Sequence, residues 1–164
     1  MNEKILLKTE FMRLALKEAE KAFALGEVPV GAVVVQNGEV IASAHNLVES
    51  LSDASAHAEL LALKAAAEKL GKRRLTDCEL YATLEPCAMC MGAVLNFKIG
   101  ALCFGAFDEV AGCTVSRCEL GRLIDLSVPF VGGMLEEECK ALLRRFFEQR
   151  RAEHRAPSDE HRST

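Results

Sequence analysis

No stretch of the chain approaches the roughly 20 consecutive apolar residues that a helix needs to cross a bilayer. The opening residues, MNEKILLKTEF, hold no sustained apolar segment of the kind that directs export. A cytoplasmic protein without a membrane partner is therefore expected. Positive charge is not in excess either: the formal net charge is -4, which argues against a protein that coats nucleic acid along its length, although a local basic patch would escape this average. The cysteines number seven, an odd count in a chain with no export signal, so a secreted disulfide framework is a poor reading. Reduced thiols, some of them metal ligands, are a better one. No internal repeat and no linker divides the sequence. With 164 residues, half of them hydrophobic, it is long enough to bury a core without crosslinks.

The elements follow one another in a single alternation. From about Lys8 to Leu25 apolar residues recur at helical spacing, with Phe11, Leu14, Ala15, Ala19, Ala22 and Phe23 on one stripe. VGAVVVQ and EVIASAH flank Asn37-Gly38, a strong signal for a two-residue hairpin turn. The alanine- and leucine-rich segment from Ala56 to Leu70 predicts a helix with Ser55 as its N-cap. CELYATLE predicts a third strand, and Pro86 suits the first turn of a helix through CAMCMGAVLNFK. ALCFGAF predicts a fourth strand, Asp108 to Gly121 a loop, LIDLSVPFVGGM a further strand somewhere within it, and LEEECKALLRRFFEQRR a last amphipathic helix. The polar residues 152–164 read as a disordered tail beyond a single domain of residues 1–151. A hairpin followed by alternating strands and helices implies a mixed sheet of about five strands with helices on both faces.

The segment LEPCAMCMG places Cys87 and Cys90 three residues apart at a strand-to-helix junction, on one helix face. His57 opens another helix, with Glu59 two residues on. If both helices start at the same sheet edge, one imidazole and two thiolates reach a common point, a donor set that suits zinc. A structural zinc site is closed by a fourth protein ligand, whereas a catalytic one keeps that position for water. Helix N-termini favour the thiolate form of both cysteines. Zinc lowers the pKa of a water, and a carboxylate such as Glu59 moves its proton to a ring nitrogen and then to departing ammonia. Hydrolytic deamination uses all four residues.

His57-Ala58-Glu59 followed by Pro86-Cys87-Ala88-Met89-Cys90 resembles the zinc-dependent cytidine and nucleobase deaminase superfamily. Within it, VPVGAVVV at Val28, His45-Asn46, TLEPCAMCMGA, FGAFD and EECKALLRRFFEQRR are similar to the bacterial tRNA-specific adenosine deaminases, over about Phe11 to Arg151. The resemblance implies a three-layer α/β/α cytidine-deaminase-like fold, one zinc per subunit, a homodimer, and conversion of the wobble adenosine in a tRNA anticodon stem-loop to inosine. It also implies roles: His57, Cys87 and Cys90 as zinc ligands, Glu59 as the catalytic proton shuttle, and Val28, Asn46 and the Ala58 amide as contacts to the flipped-out base.

After FGA the family usually has Arg-Asp and then a Lys-Thr-Gly-Ala-type turn, whereas here Phe107 and Asp108 are followed by EVAGCTVS. Phe107 suits stacking on an unpaired base. Between Lys140 and Arg155 six basic residues stand against Glu148 and Glu153, with Phe146 and Phe147 among them. That pattern suits an RNA loop, and equally a solvated helix face with one Phe in the core. Phe107, Asp108, Phe147, Arg150 and Arg151 are thus candidate RNA contacts. Cys78, Cys103 and Cys139 read as core fillers and His45 as a structural histidine, while Cys113 and Cys118 have no assigned role. Two other readings use the same residues: a deaminase of a free base or nucleoside, and a non-enzymatic zinc module, for which Glu59 would be dispensable.

Overall fold

The computed structural model describes residues 7–156. Its centre is one five-stranded sheet in the order β2-β1-β3-β4-β5, made of β1 (Gly31–Gln36), β2 (Glu39–His45), β3 (Cys78–Leu84), β4 (Ala101–Ala106) and β5 (Phe130–Gly132). β1 pairs antiparallel with both β2 and β3, while β3, β4 and β5 run parallel, so the sheet is mixed as expected. The β1–β2 turn is closed by Asn37 and Gly38 with φ of 51° and 77°, the left-handed pair that a tight hairpin demands.

Helices cover both faces. α1 (Thr9–Ala24) and α6 (Glu136–Arg155) pack on one side, where Phe11, Met12 and Ala15 meet Val33, Val35, Tyr81 and Cys103. α3 (Ala58–Leu70) and α4 (Ala88–Asn96) lie on the other, where Ala62, Leu63, Val94 and Leu95 meet Ala32, Val34, Leu80 and Phe104. Alternate residues of β1 thus serve opposite cores. β4 is buried along its whole length, as a strand covered on both faces must be. A Cβ on Gly31 would lie 2.0 Å from the Ala15 carbonyl oxygen and 2.5 Å from the Ala19 nitrogen. Glycine is what lets α1 rest directly on β1.

Several local expectations change. Leu14 sits at the exposed margin of α1, and Met12, fully buried, takes its place in the core. Ser55 does not cap α3. Its hydroxyl donates to Asp53 Oδ1 at 2.7 Å, and His57 occupies the N-cap position. Cys87 likewise stands at the N-cap of α4, so Pro86 falls one residue ahead of it. Two single-turn helices were not expected: α2 (Val48–Leu51) falls in a stretch the sequence left unassigned, and α5 (Leu120–Leu123) spans the end of the expected loop and the start of the segment expected to hold the last strand. The stretch expected to be disordered from Ala152 is helical through Arg155, because good helix formers continue α6 and the Ala156 amide still donates to the Ala152 carbonyl. The rest of that tail, residues 157–164, lies outside the described residues.

Candidate metal and active site

α3 and α4 start at the same edge of the sheet, and their first residues meet. His57 Nδ1 is 3.6 Å from Cys87 Sγ and 3.5 Å from Cys90 Sγ. One donor atom from each of the three lies within 4.8 Å of the others. No fourth His, Cys, Asp or Glu joins this group among the described residues. One imidazole and two thiols converging on a point, with no fourth donor in the group, fit a zinc ion that keeps one position for water.

The electrostatics of the site follow from this crowding. A hydrogen bond from the Cys90 thiol, with burial opposing it and His57 adding to it, brings the Cys87 pKa down to about 4. Cys90, as the donor and in the buried position, is shifted strongly upward. The bond with Cys87 raises the His57 pKa. Glu59, in the first turn of α3, is 4% exposed. Its burial pushes the carboxyl up to about 7, near the value at which one group both takes and gives a proton at neutral pH.

The expected base contacts lie beside this cluster. Asn46 is buried, its Nδ2 donates to the Val28 carbonyl at 3.3 Å, and its Oδ1 accepts from the Val48 amide at 3.3 Å. The next residue, Leu47, donates its amide to the Ala56 carbonyl at 3.0 Å, which ties this turn to the peptide just ahead of His57. Ala58 begins α3, so its N–H is among those that helical hydrogen bonding leaves free.

A groove of about 810 Å³ brings Val28 together with Phe107, Asp108, Lys140 and Phe147. Phe107 stands edge-on to Phe104, with ring centroids 5.1 Å apart, and keeps an exposed face. The Asp108 carboxylate accepts from the amides of Val110 and Ala111, at 3.0 and 3.1 Å. Arg151 is exposed on α6. Arg150 is placed differently: its guanidinium donates to the Gly26 carbonyl and lies over the Phe146 ring, 5.2 Å from the centroid. Its charge holds α6 against the end of α1. Lys140 is ion-paired with Glu136.

Two buried acids carry no role in the sequence reading. Glu27 accepts from the Glu49 and Ser50 amides and the Ser50 hydroxyl, and Glu85 accepts from the loop after β4. A Glu directly before Pro-Cys in a strand-to-helix turn was the available signal for the second.

Residues 7–106 match the family model described as the cytidine and deoxycytidylate deaminase zinc-binding region. The chain is 45% identical over 148 residues to the tRNA-specific adenosine deaminase of Bacillus subtilis (strain 168), covering 89% of this chain and 92% of that protein. The chain belongs to this zinc-binding deaminase family, among its tRNA-specific adenosine deaminases. One solved structure, from work on A-to-I editing by tRNA deaminases at the wobble position, superposes with a TM-score of 0.76 at 38% identity, over 82% of this chain and 99% of that one. Guanine deaminase from Nitrosomonas europaea superposes with a TM-score of 0.75 at 29% identity, covering 88% of each chain. The deaminase family thus accounts for the three-layer fold, and the His57, Cys87 and Cys90 cluster suits its zinc.

Proposed function

We propose that the protein hydrolyses the exocyclic C–N bond of the wobble adenosine in a tRNA anticodon stem-loop, giving inosine and ammonia. The observation that carries this is Glu59, buried and poised near neutral pKa, beside a cluster of three donors that no fourth joins among the described residues, in a chain 45% identical to a tRNA-specific adenosine deaminase. His57, Cys87 and Cys90 hold zinc, and the chemistry it supplies when bound is acidification of a water molecule near neutral pH.

The rest is done by this chain's own groups. Glu59 takes a proton from the attacking water and delivers it to the purine ring nitrogen as the new C–O bond forms. It then takes the remaining proton from the added hydroxyl and passes it to the amino group, so that the C–N bond breaks, ammonia leaves and the carbonyl of inosine forms. The Asn46 side chain and the Ala58 amide orient the flipped base, and Val28 packs against it. Phe107 and Phe147 offer faces on which neighbouring bases stack, Asp108 holds the turn that follows Phe107, and Arg151 supplies charge to the phosphates. Arg150 supports the helix that presents them.

The working unit is a homodimer in the cytoplasm. Exposed apolar side chains around the open edge strand, including Ile124, Phe130 and Val131, support self-association, and seven free cysteines suit a reducing compartment. Sedimentation at micromolar concentration checks the dimer. A monomer at every concentration would overturn it.

The likeness to guanine deaminase favours one alternative substrate class, a free base, and a paired assay separates them. Turnover of the anticodon stem-loop with none of free guanine supports the RNA reading. Turnover of guanine alone replaces it.

A further inference from the structure

None of these steps uses Glu85, although it is 1% exposed. Both of its carboxylate oxygens are engaged by the segment between β4 and α5. Oε2 accepts from the Asp108 amide at 3.0 Å and from the Ser116 hydroxyl. Oε1 accepts from the Val115 and Ser116 amides, each at 2.8 Å. The donors come from both ends of residues 108–116, so one side chain closes that segment into a loop.

The same loop lies on the backbone that leads into the metal site. The Cys113 amide donates to the Pro86 carbonyl at 2.8 Å, and Gly112 forms a β-bridge with Cys87. A Cβ on Gly112 would come within 2.5 Å of both the Glu85 carboxylate and the Asp108 carbonyl oxygen, so the loop can approach this closely only with glycine there. The near end of the loop, from Asp108 to Ala111, together with the preceding Phe107, forms one wall of the groove beside Val28.

We propose that Glu85 is a positioning residue for the RNA substrate: it fixes the 108–116 loop, and with it the wall that carries Phe107, and so governs binding of the anticodon loop rather than the deamination step. This rests on the RNA reading of the groove. Glutamine cannot replace it in full, because in either orientation its amide nitrogen would face at least one backbone N–H, of Asp108 or of Val115 and Ser116.

The test is Glu85→Gln in the zinc-loaded protein, with steady-state kinetics on a wobble-adenosine stem-loop, zinc content, and amide exchange. The expected result is a KM raised roughly 10- to 100-fold, the size of one or two lost charge-assisted hydrogen bonds, with kcat within about threefold. Zinc content stays unchanged, and exchange quickens at Val115 and Ser116. Ser116→Ala, which removes only the hydroxyl donor, gives a smaller change in the same direction and decides the matter if Glu85→Gln does not fold. An unaltered KM overturns the proposal. So does loss of zinc, or a fall in kcat alone, since either would place the action of Glu85 on the metal site. If the unaltered protein makes no inosine, the substrate reading has failed instead. Amide exchange then tests the clamp alone, and unchanged protection of Val115 and Ser116 overturns it.

Discussion

Glu59 combines two properties that rarely meet in one carboxylate: it is buried, and it sits two residues from a histidine of the three-donor cluster that could hold a metal ion. Changing it to glutamine keeps the shape and removes the proton shuttle, so kcat should fall by about 10²- to 10⁴-fold, with zinc content unchanged by metal analysis. A silent change would instead favour a structural zinc module. The raised pKa also makes a prediction about stability. A carboxyl whose folded pKa lies near 7, above the usual 4.5, binds more protons folded than unfolded, so its contribution is present at low pH and is lost between about pH 4.5 and 7. In metal-free protein Cys87, lowered to about 4, acts in the opposite sense and is shared by both variants. Relative to the unaltered protein, metal-free Glu59→Gln should therefore gain stability from pH 5 to pH 8, measured by urea midpoints, and a parallel pair of curves would contradict this. The three-donor cluster was legible in sequence because a spacing of three puts residues 87 and 90 on one helix face while His57 opens the neighbouring helix, and Glu59 stood out only through the His-x-Glu pattern. Glu85 was marked only by its place directly before Pro-Cys, and its role was not legible because its partners lie 23 to 31 residues away.

At the scale of elements, hairpin, strands and long helices followed from periodicity and turn chemistry, while their ends did not. Ser55 looks like a cap in sequence, but the hydrogen bond it finds is to Asp53. α2 depends on buried Glu27 accepting from its first turn, a tertiary contact that four residues cannot advertise. α6 shows why neighbouring arginines need separate tests. Arg150 bonds to Gly26 and stacks on Phe146, so Arg150→Ala should cost about 1–3 kcal/mol of stability. Exposed Arg151 should cost almost none as Ala, and should instead raise KM for the stem-loop in a salt-dependent way. Thermal melts and kinetics at two salt concentrations separate the two. Equal effects of both changes would show that the helix face has been misassigned.

For the whole molecule, the sheet works as a frame that delivers two helix N-termini to one edge and a groove to the rim beside them. The metal couples these parts to folding. Ligands drawn from α3 and α4 are apart in the unfolded chain, so zinc binds the folded state preferentially and stabilises it. Cys87→Ala should lower both metal content and melting temperature, and an unchanged metal content would refute the site. The shape of the groove could not be read from sequence, because it joins the β1 approach, the loop after β4 and α6, which only the closed sheet brings together. The most direct measurement of the account is incubation of zinc-loaded protein with an anticodon stem-loop bearing wobble adenosine, scoring inosine, with Glu59→Gln as the control. The account predicts inosine from the unaltered protein and essentially none from the variant. No inosine from protein with full zinc occupancy, or equal inosine from both, would contradict it.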